Sequence, residues 1–393
     1  MLIGLDANSL TESKAGVGHY TFELARALAA ASPADVFELA YPSGRADVEL
    51  RGDDGSLPPP NLRAAGVRVG LFARRKWSLG LTRYARGRKP DLFHGTNYAL
   101  PLRCDCPTVL TIHDLSAFLH PETHAPRTAR ALRRRLPFLA RAASMIITPT
   151  EAVRREVCET LKVDAAKVVA IPEAPRAVFR PLSREEARAA ARLLGVEGDF
   201  ILAVGTIEPR KNLLTLVRAF ELLVGAESSG STAETGGARG GLRLVIAGKV
   251  GWLSEDFFSH VASSPARGRM HFTGYVEDET LRALYAACRA FVYPSLYEGF
   301  GLPPLEALAC GAPVVASRIA ALDETLGRGT TLGFAPTDAA ELAGRLSQLL
   351  DDSRLRADLS AAGLRHAAGF SWGRAASLTL DVYRRAVGRG TRA

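Results

Sequence analysis

Short apolar runs separated by longer stretches with apolar residues at helical spacing set the pattern of the first half of the chain. Runs at residues 2–5, 36–40, 67–71, 91–94, 108–113 and 145–149 read as strands. After the first run comes a glycine-bearing loop at 15–18. A helix is predicted over 19–30, where Phe22, Leu24, Ala25, Leu28 and Ala29 form an apolar stripe. The second half starts the alternation again. Strands are predicted at 200–205, 242–248, 270–274, 290–294 and 313–317, with helices at 212–224, 280–287 and 304–309. Pro303 and Pro304 suit the first turn of that last helix, and Gly311 suits the position just past its end. Such alternation predicts an α/β protein with an open parallel sheet in each half. The two halves share an architecture and no sequence repeat.

Pro172, Pro175 and Pro181 interrupt the pattern before a helix predicted over 183–194, where Ser183 and Glu186 have the spacing of a capping box. The division therefore falls into an N-terminal domain over 1–176 and a C-terminal domain over 177–371. A length of 393 residues suits two such cores. Residues 225–241, rich in Gly, Ser, Ala and Thr, read as a mobile surface loop.

Composition narrows the class. Hydrophobic content of 47% with 23% charged residues is that of a soluble globular protein. No run approaches the roughly 18 apolar residues of a membrane span. The N-terminus lacks the basic start and apolar stretch of a secretory signal, so a cytoplasmic location is expected. Five cysteines are an odd count, and only Cys104 and Cys106 lie close, without zinc or redox-motif spacing, so reduced thiols are expected. The net charge of +9 suits nucleic acid, an anionic membrane or a phosphate-rich small molecule. The charge concentrates at 71–90, with Arg and Lys, and at 127–141, with Arg alone, two stretches without an acid. A nucleic-acid-binding protein is the non-enzyme alternative, but aromatics are 7% and no recognition motif accompanies the basic runs. The first loop also lacks the full glycine string of a dinucleotide-binding dehydrogenase.

Candidate chemistry falls after strands, where open parallel sheets bind ligands. Gly16 and Gly18 follow the first strand and could bring backbone amides to an anion; a tight turn without a ligand is the plainer reading. Gly205 permits close backbone approach, and Arg210 and Lys211 stand before a helix, as a diphosphate would need; a solvated charged turn has the same letters. The stretch 295–311, SLYEGFGLPPLEALACG, is more specific. Gly299 and Gly301 flank Phe300 before a helix, with Leu302 following, Glu298 ahead and Glu306 just inside. One acid can face a sugar while the other accepts hydrogen bonds from ribose; helix capping is the alternative role for either. No D-x-D segment stands ready to hold a metal ion, so none is expected. His94, at a strand end, reads equally as an acceptor-side residue or a structural histidine. Asp114 could orient the His113 loop or act as a base, His19 opens a helix, and Trp77 with its basic neighbours could touch a membrane or remain solvated surface.

Over 200–317 these segments resemble family 4 glycosyltransferases of the GT-B fold, through GTIEPRKN, TGYV and PSLYEGFGLPPLEALACGAPVV in that order. AGVGHY, TIHDL and TPTEAVRREV extend the resemblance to the first half, and 371–387 resembles the last helix, which crosses back to the N-terminal domain. The resemblance implies two Rossmann-like domains facing across a cleft, with the crossover helix at about 372–393. It implies that Glu298 contacts the donor sugar, Glu306 the ribose, and that Arg210 and Lys211 neutralise the leaving diphosphate. Gly16 and Gly18 would face the phosphates, His113 would border the donor sugar, and Gly274, Tyr275 and Val276 would line the base. It further implies retention of configuration without a metal. The co-substrate would be a nucleotide-diphosphate sugar, with GDP-mannose the first expectation from GTIEPRKN followed by AGKVGW. The acceptor would be a glycan or lipid-linked glycan, with a sugar or sugar phosphate as the alternative. The basic segments would give peripheral contact with the inner face of the cell membrane.

Overall fold

The computed structural model describes residues 1–11, 16–44, 48–52, 55–69, 77–228 and 241–390. The chain divides into two compact units. The first comprises Met1–Leu115, Arg130–Ala174 and the chain from Phe370 onward; the second comprises Ser116–Ala129 and Pro175–Gly369. Among the described residues no helix is long and apolar enough to cross a membrane.

In the first unit β1 (Leu2–Asp6), β2 (Val36–Pro42), β3 (Leu62–Val67), β4 (Leu92–Gly95), β5 (Thr108–Thr111), β6 (Met145–Thr148) and β7 (Val168–Ala170) form one sheet in the order β3-β2-β1-β4-β5-β6-β7. Every pairing is parallel, so all carboxyl ends share one edge. The order reverses between β1 and β4, which makes that crevice the ligand-binding position of such a sheet. Helix Gly16–Ala31 buries Phe22, Leu24, Ala25, Leu28 and Ala29, the stripe its spacing predicts. Helix Trp372–Gly390 packs into the same core through Trp372, Ala376, Leu380 and Tyr383.

The second unit repeats the plan. Strands β8 (Phe200–Val204), β9 (Arg243–Ala247), β10 (Met270–Gly274), β11 (Ala290–Tyr293), β12 (Val314–Ser317) and β13 (Thr331–Phe334) lie in the order β10-β9-β8-β11-β12-β13, all parallel. Here the order reverses between β8 and β11. Their interior side chains, among them Ile201, Leu244, Val292 and Val315, pack with Leu216, Phe220, Leu342 and Leu346 of the covering helices.

Several sequence expectations shift. The strand expected at 67–71 is β3, which ends at Val67; residues 70–76 lie outside the described ones. Only Leu62 and Val67 at its two ends are buried, so an edge strand rich in small residues gives a weak apolar signal. Helix Leu213–Ser228 runs four residues beyond its expected end, and the rest of the loop expected at 225–241, residues 229–240, lies outside the described residues. Strands β7 and β13 are three and four residues long and escape a reading based on periodicity. The capping box at Ser183 forms as its spacing requires: the hydroxyl accepts from Glu186 N–H at 3.3 Å and the Glu186 carboxylate accepts from Ser183 N–H at 3.3 Å.

The ends of β8, β9 and β10 are fastened by glycines. Gly205 N–H donates to Ala247 O at 3.0 Å, and Gly248 N–H donates to Gly274 O at 2.8 Å. Gly248 has φ +152°, and a Cβ there would lie 2.0 Å from the Gly205 carbonyl oxygen. Backbone passes against backbone, with no room for any side chain. Gly248→Ala should therefore cost more than about 1 kcal/mol of stability, from both strain and overlap. Gly225→Ala, on a helix with no atom near the added methyl, should instead stabilise by roughly 0.5–1 kcal/mol. Urea denaturation of the two variants checks the opposite signs.

Candidate functional site

The turn after β8 and the loop after β11 meet at the switch point of the second sheet. Arg210 and Lys211 occupy a single turn of 3-10 helix, Pro209–Lys211, started by a proline and closed by Asn212 in the left-handed region at φ +53°. Asn212 then fixes the turn, donating from Nδ2 to Pro294 O at 2.9 Å and Pro336 O at 2.6 Å. The Leu296 N–H donates to Arg210 O at 2.9 Å, so the turn and the loop after β11 are joined through the backbone as well.

Glu298 is the centre of this junction and is 8% exposed. Its Oε1 accepts from Lys211 Nζ at 2.6 Å and from Tyr293 Oη at 2.9 Å. Its Oε2 accepts from Arg210 Nη1 at 2.9 Å. Arg210 also donates to Tyr297 O at 3.1 Å and from Nη2 to Glu208 Oε1 at 2.8 Å. Lys211 Nζ donates to Tyr293 Oη at 2.8 Å and stands over that ring. Burial pushes the Glu298 carboxyl up, but the charges of Arg210 and Lys211 outweigh it and hold its pKa at about 2. Burial draws the Lys211 ammonium below its usual range, against the pull of Glu298. Two cations are thus held in fixed positions by two buried carboxylates, Glu298 and Glu208. A diphosphate needs such pre-oriented donors. Gly205 lies beside the Lys211 stem: a Cβ there would be 3.5 Å from Cε.

Gly299, Phe300 and Gly301 are buried. Gly301 adopts φ +96° as the cap of helix Leu302–Ala309, and a Cβ would meet Leu322 at 2.4 Å. The helix begins two residues before the expected position 304, with Leu302 as its first residue. Pro303 and Pro304 carry no N–H, so amides at this helix mouth come from Leu302 and the residues ahead of it. Glu306, inside the helix and 6% exposed, faces Arg176, whose Nε donates to Oε1 at 3.4 Å; Arg176 also pairs with Asp278. Burial raises the Glu306 pKa to about 7, with Arg176 opposing and Asp278 adding to the rise. Gly274 sits at φ +69° in an irregular end of β10. Tyr275 after it is exposed with Lys249 Nζ 4.8 Å above its ring, and Val276 is half-buried.

In the first unit the glycines differ from expectation. Gly16 is the first residue of the helix and Gly18 lies in its first turn, so they are not in a loop before it. The first turn tolerates glycine because its amides have no intrahelical partner, and those amides remain available to an anion. Tyr20 of the same helix places its ring edge on His113, centroids 4.7 Å apart. His113 lies two residues beyond β5. Its Nε2 donates to Thr96 O at 2.8 Å and its Nδ1 to Glu173 Oε1 at 3.3 Å. Burial works against protonation, but Glu173 outweighs it and raises the pKa above the usual imidazole value.

Two other first-unit candidates, His94 and Trp77, are held by partners within the unit. His94 is fully buried between Tyr383 Oη and Thr111 Oγ1, each at 2.8 Å, and burial with His113 nearby lowers its pKa to about 3. Trp77 donates from Nε1 to Asp6 Oδ1 at 2.7 Å at the end of β1, and its ring lies over Gly80, where a Cβ would meet it at 2.3 Å.

Glu208, Tyr293, Arg176, Asp278 and Glu173 have no role in the sequence reading. Glu208 stands inside GTIEPRKN, so its proximity to Arg210 was available as a signal. Tyr293 reads as an ordinary strand residue, and Arg176 and Glu173 as part of a proline-rich boundary; nothing in the letters marks them.

The Glu306 environment has a consequence for pH. In the unfolded chain this carboxyl ionises near 4.5, in the fold near 7. Folding therefore becomes less favourable as pH rises from about 4.5 to about 7, then levels off. Glu306→Gln should melt higher than the parent at pH 8, and the gap should close towards pH 5. Melting curves across that range would show a constant gap if the carboxyl ionised normally.

Family models match both parts of the chain: Glycosyltransferase Family 4 over residues 15–174 and Glycosyl transferases group 1 over 185–366. The chain is 32% identical over 384 residues to O-antigen chain mannosyltransferase B of Escherichia coli, covering 94% of this chain and 96% of that protein. It is 34% identical over 305 residues to D-inositol 3-phosphate glycosyltransferase of Kineococcus radiotolerans, covering 72% and 67%. Sucrose-phosphate synthase of Thermosynechococcus elongatus shares the fold, with a TM-score of 0.74 at 22% identity over 98% of both chains. Two Rossmann-like units, Glu298 and Glu306 on one helix mouth, and matches across nearly the whole length agree: the chain belongs to the family 4, group 1 glycosyltransferases of GT-B architecture.

Proposed function

We propose that this glycosyltransferase moves a mannosyl unit from GDP-mannose to a glycan or lipid-linked glycan, with retention of configuration and without a metal ion. The observation that carries the reading is the junction of Arg210, Lys211 and Glu298 at the switch point of the second sheet. Breaking the bond between sugar C1 and the phosphate oxygen puts negative charge on the diphosphate and positive character on the sugar. Arg210 and Lys211 would stabilise the first, in the role a divalent metal has elsewhere. Glu298, kept ionised by the same cations, would hydrogen-bond the sugar hydroxyls and offset the second. In a front-face displacement the acceptor oxygen bonds to C1 as the phosphate oxygen leaves, and the acceptor proton passes to that oxygen. Glu306 would take the ribose hydroxyls. His113, held by Glu173 and the Thr96 carbonyl, would border the donor sugar, and the first-turn amides at Gly16 and Gly18 would face the phosphates.

The mannosyl and glycan assignments are supported by the Escherichia coli relative, which is named as an O-antigen chain mannosyltransferase. Likeness to an inositol phosphate glycosyltransferase supports a second reading, in which the acceptor is a small phosphorylated polyol or sugar. The basic helix Pro126–Ala142, with six arginines exposed, supports peripheral contact with an anionic membrane near the lipid-linked acceptor.

Glu298→Ala should abolish transfer while circular dichroism and the melting transition remain those of a folded protein. Turnover at the parent rate would remove its assigned role. A thermal-shift panel of sugar nucleotides and nucleoside diphosphates tests the donor: GDP and GDP-mannose should raise the melting temperature most. Glu306→Ala should reduce the shift given by GDP alone. An acceptor screen, glycan against inositol phosphate, separates the two acceptor readings.

A further inference from the structure

Residues Ser116–Ala129 follow β5 and the His113 loop in the chain, yet they belong to the second unit. Three contacts fasten them there. Trp252 Nε1 donates to Thr123 O at 2.8 Å. The Trp252 ring system stacks near the His124 imidazole, with centroids 6.3 Å apart and planes inclined by 22°. Three residues before Thr123 the His120 ring lies 5.2 Å from that of Tyr297. The segment is braced internally: Thr123 Oγ1 donates to His120 O at 2.8 Å, and His124 Nε2 lies 2.9 Å from Ser116 Oγ. The residues held by Trp252 are therefore tied directly to His120, which covers Tyr297.

Tyr297 is the residue immediately before Glu298, and its carbonyl accepts from the same Arg210 nitrogen that binds the Glu298 carboxylate. A displaced Tyr297 would pull that guanidinium and the carboxylate out of line together. Trp252 meanwhile is 43% exposed in a turn where Leu253 is forced to φ +52°.

We propose that Trp252 is a positioning residue for sugar transfer: it pins the segment Ser116–Ala129 so that His120 covers Tyr297 and the Arg210–Glu298 pair keeps its alignment. The proposal rests on the transferase reading for its kinetic consequence, and on the contacts alone for its structural one.

The test uses the full chain. Trp252→Phe keeps an aromatic ring and removes the donor to Thr123. Its kcat should fall about tenfold with the donor KM within about twofold of the parent, because alignment rather than donor binding is lost. His120→Ala should move kcat in the same direction, and His120→Phe, which retains a ring over Tyr297, should restore most of it. A role confined to stability would lower the melting temperature and leave kcat per folded molecule unchanged. Independently of activity, trypsin should cut after the exposed Arg127 about tenfold faster in Trp252→Phe than in the parent, without any donor present. Parent-like kcat in Trp252→Phe, with the parent enzyme turning over, overturns the positioning role. Parent-like cleavage after Arg127 overturns the pinning itself. Absence of turnover by the parent with every sugar nucleotide would instead fail the transferase reading.

Discussion

A carboxylate shared between a guanidinium and an ammonium, largely shielded from bulk water, is the interaction around which the second unit's ligand face is arranged. Burying three charges is expensive unless each finds partners of good geometry. Glu298 meets that condition by accepting from Lys211, Tyr293 and Arg210, and Arg210 meets it by reaching on to Glu208 and the Tyr297 carbonyl. The consequence is mechanical as well as electrostatic. The groups belong to the turn after β8 and to the end of β11 and its loop, the two strands at which the sheet order reverses, so satisfying the charges also fixes the crevice. The close backbone passage of Gly248 against Gly205 extends this order to β9 and β10, where Gly274 and Tyr275 lie.

The first unit solves a similar problem around histidines. His94 and His113 both stand at or just beyond strand ends, and both are buried or nearly so, yet their protonation states are driven apart. His94 faces two hydroxyls and is neutral, because neither partner offsets the loss of hydration. His113 faces the Glu173 carboxylate, which raises its pKa against the same burial. One carboxylate, contributed by a segment sixty residues further along, separates a structural histidine from a chemically poised one. The edge of Tyr20 against His113 ties that histidine to the helix that begins with Gly16 and Gly18.

Much of the fold was legible. Strands such as β8 and β11 are continuous apolar runs, as strands buried on both faces must be, and the stripe on helix Gly16–Ala31 follows from spacing alone. Short or weakly apolar strands were not legible: β7 has three residues, β13 buries only Phe334, and β3 exposes most of its middle. Within the site, Glu298, Arg210 and Lys211 were identified from the letters because their chemistry and their place after strands coincide. Arg176, Glu173 and Tyr293 were missed because each acquires its role from a partner distant in sequence. The helix starts were misplaced by two or three residues, at Gly16 and Leu302, since a glycine or a proline is compatible with both a loop and a first helical turn.

By itself, then, the sequence determined the class of architecture, the strand ends at which chemistry would gather, and the motif-bearing residues, because apolar periodicity and local turn chemistry act over a few residues. Only the tertiary structure decided which charges neutralise one another, which histidine meets a carboxylate, and that residues Ser116–Ala129 belong with Trp252 and Tyr297 rather than with the sheet they follow. Those outcomes depend on burial and on contacts between segments far apart in the chain. The strength of an ion pair or the pKa of a carboxyl is set by water excluded and partners supplied from elsewhere, and neither quantity is written at the residue's own position.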